Sequence, residues 1–82
     1  MSKVRVDAIE ISPLVGLNDI GQTVAKYEDA KEFEVCDEDD PHVIAWGVYI
    51  HREGIGATNL FDVPDKANAL LAEKVLEEFY NL

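Results

Sequence analysis

The acidic stretch at residues 28–40 constrains the fold of this chain more than any other segment. Its sequence, EDAKEFEVCDEDD, has eight carboxylates and one lysine, so it carries a charge of −7 out of −10 for all 82 residues. Two of its apolar residues, Phe33 and Val35, alternate with acids in the pattern of a half-buried strand. The stretch therefore has to lie at the surface while its apolar side chains contact a core.

The composition is that of a small globular domain. Hydrophobic residues make up 48% and charged residues 29% of the sequence, and no linker, repeat or low-complexity segment divides it, so residues 1–82 are predicted to form one domain. The single cysteine, Cys36, has no intramolecular disulfide partner, and the N-terminal residues lack the apolar core of a signal peptide. The longest uncharged apolar run, residues 43–50, is too short to cross a membrane. These features predict a cytoplasmic protein.

The N-terminal third contains one clear strand. Residues 3–11 alternate with a change of phase near Ala8, which indicates a bulged strand. Pro13 lacks the backbone donor of a sheet ladder and is predicted to end that strand. Residues 14–21 are then predicted to form a loop or short helix, and residues 22–30 fit either a strand or a helical stripe, with the strand favoured.

The middle of the chain is predicted to form a hairpin. Residues 31–36 and 43–52 both alternate, and antiparallel pairing around the turn between them would set Val35 opposite Ile44 on a buried face. In this register the acids of the first strand lie exposed on the other face. Residues 57–61 are predicted to return as a further short strand.

The C-terminal segment has the pattern of an amphipathic helix. Asp62 is the predicted N-cap, with Asp65 as the near alternative. The residues predicted to face the sheet share one arc of the helical wheel: Leu71, Ala72, Val75, Leu76 and Phe79. The chain is therefore predicted to be an α+β protein, in which a three- to four-stranded antiparallel sheet packs one face against a single C-terminal helix.

No motif in the sequence predicts catalysis, a cofactor or a specific metal site. The glycines at 54–56 lack the third glycine and the lysine of a phosphate-binding loop. An EF-hand beginning at Asp37 would require glycine at position 42 and glutamate at position 48, which are His42 and Val48. Cys36 and His42 are too few ligands for a zinc site. Weak cation binding by the clustered carboxylates stays open as a third functional alternative, and no enzymatic activity is expected.

The acidic stretch is the predicted partner-binding site. Glu32 and Glu34 on one strand face would lie about 6.6–7 Å apart, a separation close to that of successive phosphates along an extended nucleic-acid strand. Such a row of carboxylates would suit a basic nucleic-acid-binding surface on another protein, whereas the acidic charge argues against direct binding to nucleic acid or anionic lipid. Tyr49 is predicted to contribute an aromatic anchor to the same site. The predicted site residues are Glu28, Asp29, Glu32, Glu34, Asp37, Glu38, Asp39, Asp40 and Tyr49.

A very small acidic α+β domain with the segment EDAKEFEVCDEDD and no catalytic motif resembles the inhibitors that phages and mobile elements make against host defence nucleases. Anti-CRISPR and anti-restriction proteins are examples of this type. The resemblance implies a non-enzymatic inhibitor that acts in the host cytoplasm on a CRISPR effector or a restriction nuclease. It rests on type alone, with no family motif, so no residue roles are transferred.

The alternative function is a protein–protein interaction module or a subunit of a homo-oligomer. Its contact would be made by the apolar loop 14–20, through Leu14, Val15 and Leu17, together with an open sheet edge. The oligomeric state does not follow from the sequence.

Overall fold

A computed structural model describes residues 5–82, which form a five-stranded antiparallel sheet and one C-terminal α-helix. The elements, in chain order, are strands β1 Val6–Leu17 and β2 Thr23–Val24, a 3-10 helix Tyr27–Asp29, strands β3 Glu32–Val35, β4 Ala45–Arg52 and β5 Gly56–Val63, and helix α1 Lys66–Phe79. The predicted α+β class, with one helix packed on the sheet, is confirmed. The sheet has one strand more than the predicted three to four, and the shortest of its strands is the two-residue β2.

Strand β1 pairs with three of the other four strands, β2, β3 and β4. It pairs with β4 from Val6 to Leu14 and with β3 from Leu14 to Leu17, and β4 pairs with β5 on its far side. Leu14 itself lies between Ala45 of β4 and Val35 of β3. The predicted hairpin between residues 31–36 and 43–52 is therefore wrong, because β1 separates the two strands. Val35 pairs with Leu14 and not with Ile44, and it is exposed and not on a buried face as predicted.

Pro13 does not end β1, contrary to the sequence-based expectation. Its carbonyl oxygen accepts a hydrogen bond from the Cys36 backbone N–H at 3.0 Å, on the edge away from β4. The ladder towards β4 continues through the next residue, since the Leu14 carbonyl accepts from the Ile44 N–H at 3.0 Å. Successive backbone groups of a strand point to alternate edges, so the donor that proline lacks is not one that β4 requires. The predicted loop at residues 14–21 is accordingly strand as far as Leu17.

Two β-bulges shift the register of strand pairing in the sheet. The register between β1 and β4 shifts between Val6 and Ala8, which confirms the bulge predicted near Ala8. A second shift lies in β5, where Phe61 pairs with Val48 but Asn59 pairs with Tyr49, so that Leu60 is the extra residue. In the segment 22–30, favoured as a strand, only Thr23–Val24 pairs as a strand.

Helix α1 covers one face of the sheet. Asp65 is its N-cap, because its carboxylate accepts a hydrogen bond from the Asn68 N–H at 2.8 Å; the near alternative is correct and Asp62 is not the cap. Ala69 is fully buried against a core that comprises Ile9, Trp46, Val48 and Ile50. A small residue at this position lets the helix backbone approach the sheet closely.

The orientation of α1 corrects the predicted helix face. Of the five residues predicted to face the sheet, Ala72 and Leu76 do so, together with Ala69 and Tyr80. The prediction is wrong for Leu71, Val75 and Phe79, which are exposed.

A second packed region lies where β1 extends beyond the helix. Leu14, Val15 and Leu17 are all buried. Gly16 allows the close approach of the segment that follows, because a Cβ atom at this position would lie 2.7 Å from Cδ1 of Ile44 and 2.8 Å from Cβ of Ala30. The segment that bears the acids is therefore attached to the sheet.

Candidate partner-binding surface

The acids of residues 28–40 occupy three successive structural settings. Glu28 and Asp29 belong to the 3-10 helix, Glu32 and Glu34 to β3, and the remaining four to the turn between β3 and β4. All eight are exposed except Asp40, which is half-buried. We refer to these eight carboxylates as the acidic surface.

Strand β3 fixes the direction of its two glutamates. Glu32 pairs with Leu17 and Glu34 pairs with Val15, so both side chains lie on the same face of the sheet. The rise of an antiparallel strand separates two such positions by about 6.8 Å. Their neighbours Val15 and Leu17 are buried, hence the two carboxylates stand beside apolar, well-packed strand residues.

The turn after β3 is ordered by its own hydrogen bonds. The Asp40 carboxylate accepts from the His42 backbone N–H at 2.8 Å, and the Asp40 N–H donates to the Asp37 carbonyl at 3.0 Å. The Asp40 carbonyl in turn accepts from the Val43 N–H at 3.3 Å. One carboxylate of the turn therefore holds the backbone, while those of Asp37, Glu38 and Asp39 are exposed.

One ion pair joins the acidic surface to the helix. Glu38 pairs with Lys66, the first residue of α1, and within residues 5–82 this is the only pair between the acidic surface and a lysine or arginine. The same ammonium group lies 5.2 Å from the centroid of the Trp46 ring, in cation–π geometry. Glu38 is thereby tied to the helix N-terminus and the core; neither contact was predicted, since Lys66 is remote in sequence from both partners.

Aromatic packing holds the other end of the segment. The rings of Tyr27 and Phe33 lie with their centroids 5.0 Å apart. This contact links the 3-10 helix to β3, so Glu28 and Asp29 are attached to the strand that carries the two glutamates.

Tyr49 does not belong to the acidic surface, contrary to the sequence-based expectation. It pairs with Glu10 of β1, whereas Glu34 pairs with Val15 of the same strand. Positions 10 and 15 differ by an odd number of residues, so Tyr49 and Glu34 lie on opposite faces of the sheet. The structure thus brings the eight acids together in one segment and leaves Tyr49 apart from them.

On its own face, Tyr49 covers the backbone of Gly47, where an added Cβ would lie 2.7 Å from the phenol ring. Burial, and secondarily the charge of Asp62, raises the pKa of the Tyr49 hydroxyl. Asn59, which pairs with Tyr49 across the sheet, donates a hydrogen bond to Asp62 at 2.9 Å. These contacts indicate a packing role for the ring.

The described residues do not form a metal or small-molecule site. Within residues 5–82, no group of three or more His, Cys, Asp and Glu side chains is arranged to hold a metal ion, and no pocket is found. Burial, followed by the charges of Asp40 and Asp37, raises the pKa of the Cys36 thiol, which disfavours the thiolate needed for nucleophilic chemistry. None of the described helices is long and apolar enough to span a membrane.

Comparison with known proteins gives no relative from which a role could be transferred. The chain matches no protein family, no curated protein and no solved structure.

Proposed function

We propose that this protein is a non-enzymatic inhibitor whose acidic surface occupies a basic nucleic-acid-binding surface of a partner protein. The observation that carries the proposal is the placement of Glu32 and Glu34, exposed on one face of a hydrogen-bonded strand. Further exposed carboxylates precede and follow that strand along the chain. A CRISPR effector or a restriction nuclease in the host cytoplasm is the class of partner that this arrangement suits.

Electrostatics supports the proposal in two ways. The acidic surface concentrates charge in 13 residues of a chain whose net charge is −10, and such a concentration attracts a basic surface over a distance that depends on salt. The attachment of these acids to β1, α1 and the Tyr27–Phe33 ring pair lowers the entropy lost on binding, because the charges are held in place beforehand.

In the alternative function, the part of the contact assigned to the apolar side chains of residues 14–20 loses its basis. Leu14, Val15 and Leu17 are buried within β1 and its neighbours, and a partner would have to unfold that end of the sheet to reach them. Of the apolar residues in this segment, Ile20 is exposed.

Charge reversal tests the proposed function. The test variant replaces three exposed acids of the surface by lysine: Glu32, Glu34 and Asp39. Asp40 is left unchanged because it holds the turn. A matched control replaces three exposed acids outside the surface by lysine, with the same change in net charge: Glu10, Asp19 and Glu53.

The measurement is inhibition of DNA cleavage by a panel of purified CRISPR effectors and restriction nucleases. We expect inhibition of a susceptible nuclease to compete with DNA, to weaken between about 50 and 500 mM salt, and to fall at least tenfold in the test variant but not in the control. If no nuclease of the panel is inhibited, or if the two variants lose inhibition equally, the acidic surface is not the inhibitory site. Circular dichroism confirms that both variants are folded.

A further inference from the structure

Helix α1 directs an apolar stripe to solvent. Leu71, Val75 and Phe79 are 61%, 54% and 75% exposed, and their spacing of four residues aligns them along the helix. The adjoining side of the helix, with Ala69 and Leu76, already packs on the sheet. We call Leu71, Val75 and Phe79 the outer stripe; contiguous apolar surface of this kind marks interaction sites in soluble proteins.

We propose that the outer stripe is the interface with a second copy of this chain, paired through antiparallel α1 helices about a two-fold axis at Val75. The stripe is symmetric about its own centre. A two-fold axis at Val75 sets Leu71 of each copy against Phe79 of the other, so a large ring meets a smaller side chain at both ends. This is the isologous arrangement in which one surface is its own complement.

The charges beside the stripe favour the same arrangement. Lys74 and Glu78 are exposed and lie together on one flank of the stripe by their helical angles. Antiparallel pairing brings that flank against its counterpart with the order reversed, so Lys74 of each copy approaches Glu78 of the other. Parallel pairing would instead set this flank against the other flank of the partner helix, so Lys74 and Glu78 would have no oppositely charged counterpart.

The acidic surfaces do not oppose this dimer. Glu38 contacts Lys66 at the N-terminal end of α1, nine residues from Val75. At 1.5 Å per residue, the antiparallel arrangement separates the two Lys66 levels by roughly 27 Å along the axis. That distance exceeds the Debye length of about 8 Å at physiological salt, so repulsion between the two acidic surfaces is largely screened. One helix stripe makes a small interface, and we expect a weak dimer that dissociates on dilution.

The first experiment measures the mass of the full chain by sedimentation equilibrium over a range of concentrations. We expect a monomer–dimer equilibrium that weakens at least tenfold in Val75→Lys, because the two lysines meet at the axis. Val75 is exposed, so circular dichroism should show the helix unchanged. The control is Ile20→Lys, a replacement of another exposed aliphatic residue, which should dimerise as the unaltered chain does. A chain that stays monomeric, or equal effects of the two replacements, would refute the proposal.

A mixing experiment tests the antiparallel order itself. The Lys74→Glu chain carries two acids on the flank and the Glu78→Lys chain carries two lysines, so each should dimerise poorly alone. Mixed in equal amounts, they should form a heterodimer at least tenfold tighter than either homodimer. Pairing between the two positions within one helix cannot produce this preference, because neither chain has both charges. Absence of heterodimer would rule out the antiparallel contact.

Discussion

The ammonium group of Lys66 lies 5.2 Å from the centroid of the Trp46 ring and pairs at the same time with the carboxylate of Glu38. One side chain thus connects the first turn of α1, the core of the sheet and the acidic surface. Its position explains how a segment with a charge of −7 is held near a helix whose N-terminus itself favours anions.

Lys66→Met should lower the free energy of unfolding by about 1 kcal/mol, since an exposed ion pair contributes about 0.2–1 kcal/mol and a surface cation–π contact a similar amount. Urea denaturation followed by the fluorescence of the single tryptophan measures both the stability and the surroundings of the ring. Glu38→Gln removes only the ion pair and should leave the native fluorescence unchanged. A change of native fluorescence in Glu38→Gln as large as that in Lys66→Met would show that the cation does not act on the ring directly.

Gly16→Ala should lower the free energy of unfolding by about 1–3 kcal/mol, the usual range for overpacking. The added methyl group would lie 2.7 Å from Cδ1 of Ile44 and 2.8 Å from Cβ of Ala30, so at least one of these must move. Adding Ile44→Val removes the nearer atom and should recover part of the loss. Urea denaturation of the single and double variants measures the coupling, and purely additive effects would mean that Ile44 is not the obstacle.

The strands were predictable from the sequence, but their neighbours were not. Alternation locates β3, β4 and the bulge at Ala8, because the pattern of a half-buried strand is a local property. It does not identify which strand lies next to which. The hairpin register that set Val35 against Ile44 was self-consistent, yet β1 lies between the two strands. The error at Pro13 has the same origin, since the edge to which a proline nitrogen points depends on strand order.

The exposure of the acids is predictable from the sequence, but the face of the sheet or helix on which a given side chain lies is not. Carboxylates without partners are expected at the surface wherever they lie, whereas the side of the sheet that Tyr49 occupies depends on its pairing with β1. The helical wheel predicts that the broadest apolar arc faces the sheet, but only Ala72 and Leu76 of that arc do so. Ala69 and Ala72 let the helix approach closely with less apolar area, which leaves Leu71, Val75 and Phe79 outside.

Asp65→Ala should lower the free energy of unfolding by about 0.5–2 kcal/mol, the usual range for loss of an N-cap. The Asp65 carboxylate accepts from both the backbone and the side-chain nitrogen of Asn68, at 2.8 and 3.0 Å. Asp62→Ala, at the other candidate cap, should lower the free energy of unfolding by less, because it removes only the one hydrogen bond that the Asn59 side chain donates to Asp62. Urea denaturation ranks the two variants, and the reverse order would indicate that the helix starts earlier.

The pKa of His51 should be higher than that of a free histidine, and Asp7→Asn should lower it. The hydrogen bond that His51 donates to the Asp7 carboxylate raises the pKa of His51, desolvation opposes this, and the charges of Asp7 and Glu10 add to the rise. A raised pKa in the folded state means that the contact stabilises the fold fully below the ordinary histidine pKa of about 6.5. This contribution is lost as the pH rises through the raised value. An NMR titration of the His51 ring in both proteins measures the shift, and an identical pKa in the two would exclude the hydrogen bond.

Cys36 should react slowly with iodoacetamide in the folded protein. Burial raises the pKa of its thiol, with further contributions from Asp40 and Asp37, so less thiolate is present at a given pH, and the thiolate is the reactive form. At pH 8 we expect alkylation slower than in the urea-unfolded chain. Asp37→Asn should accelerate it in the folded state by removing one negative charge, whereas Asp19→Asn, far from the thiol in sequence and absent from the groups that act on it, should not. A rate for Asp37→Asn equal to that of the unaltered protein would show that the charge of Asp37 does not contribute to the low reactivity.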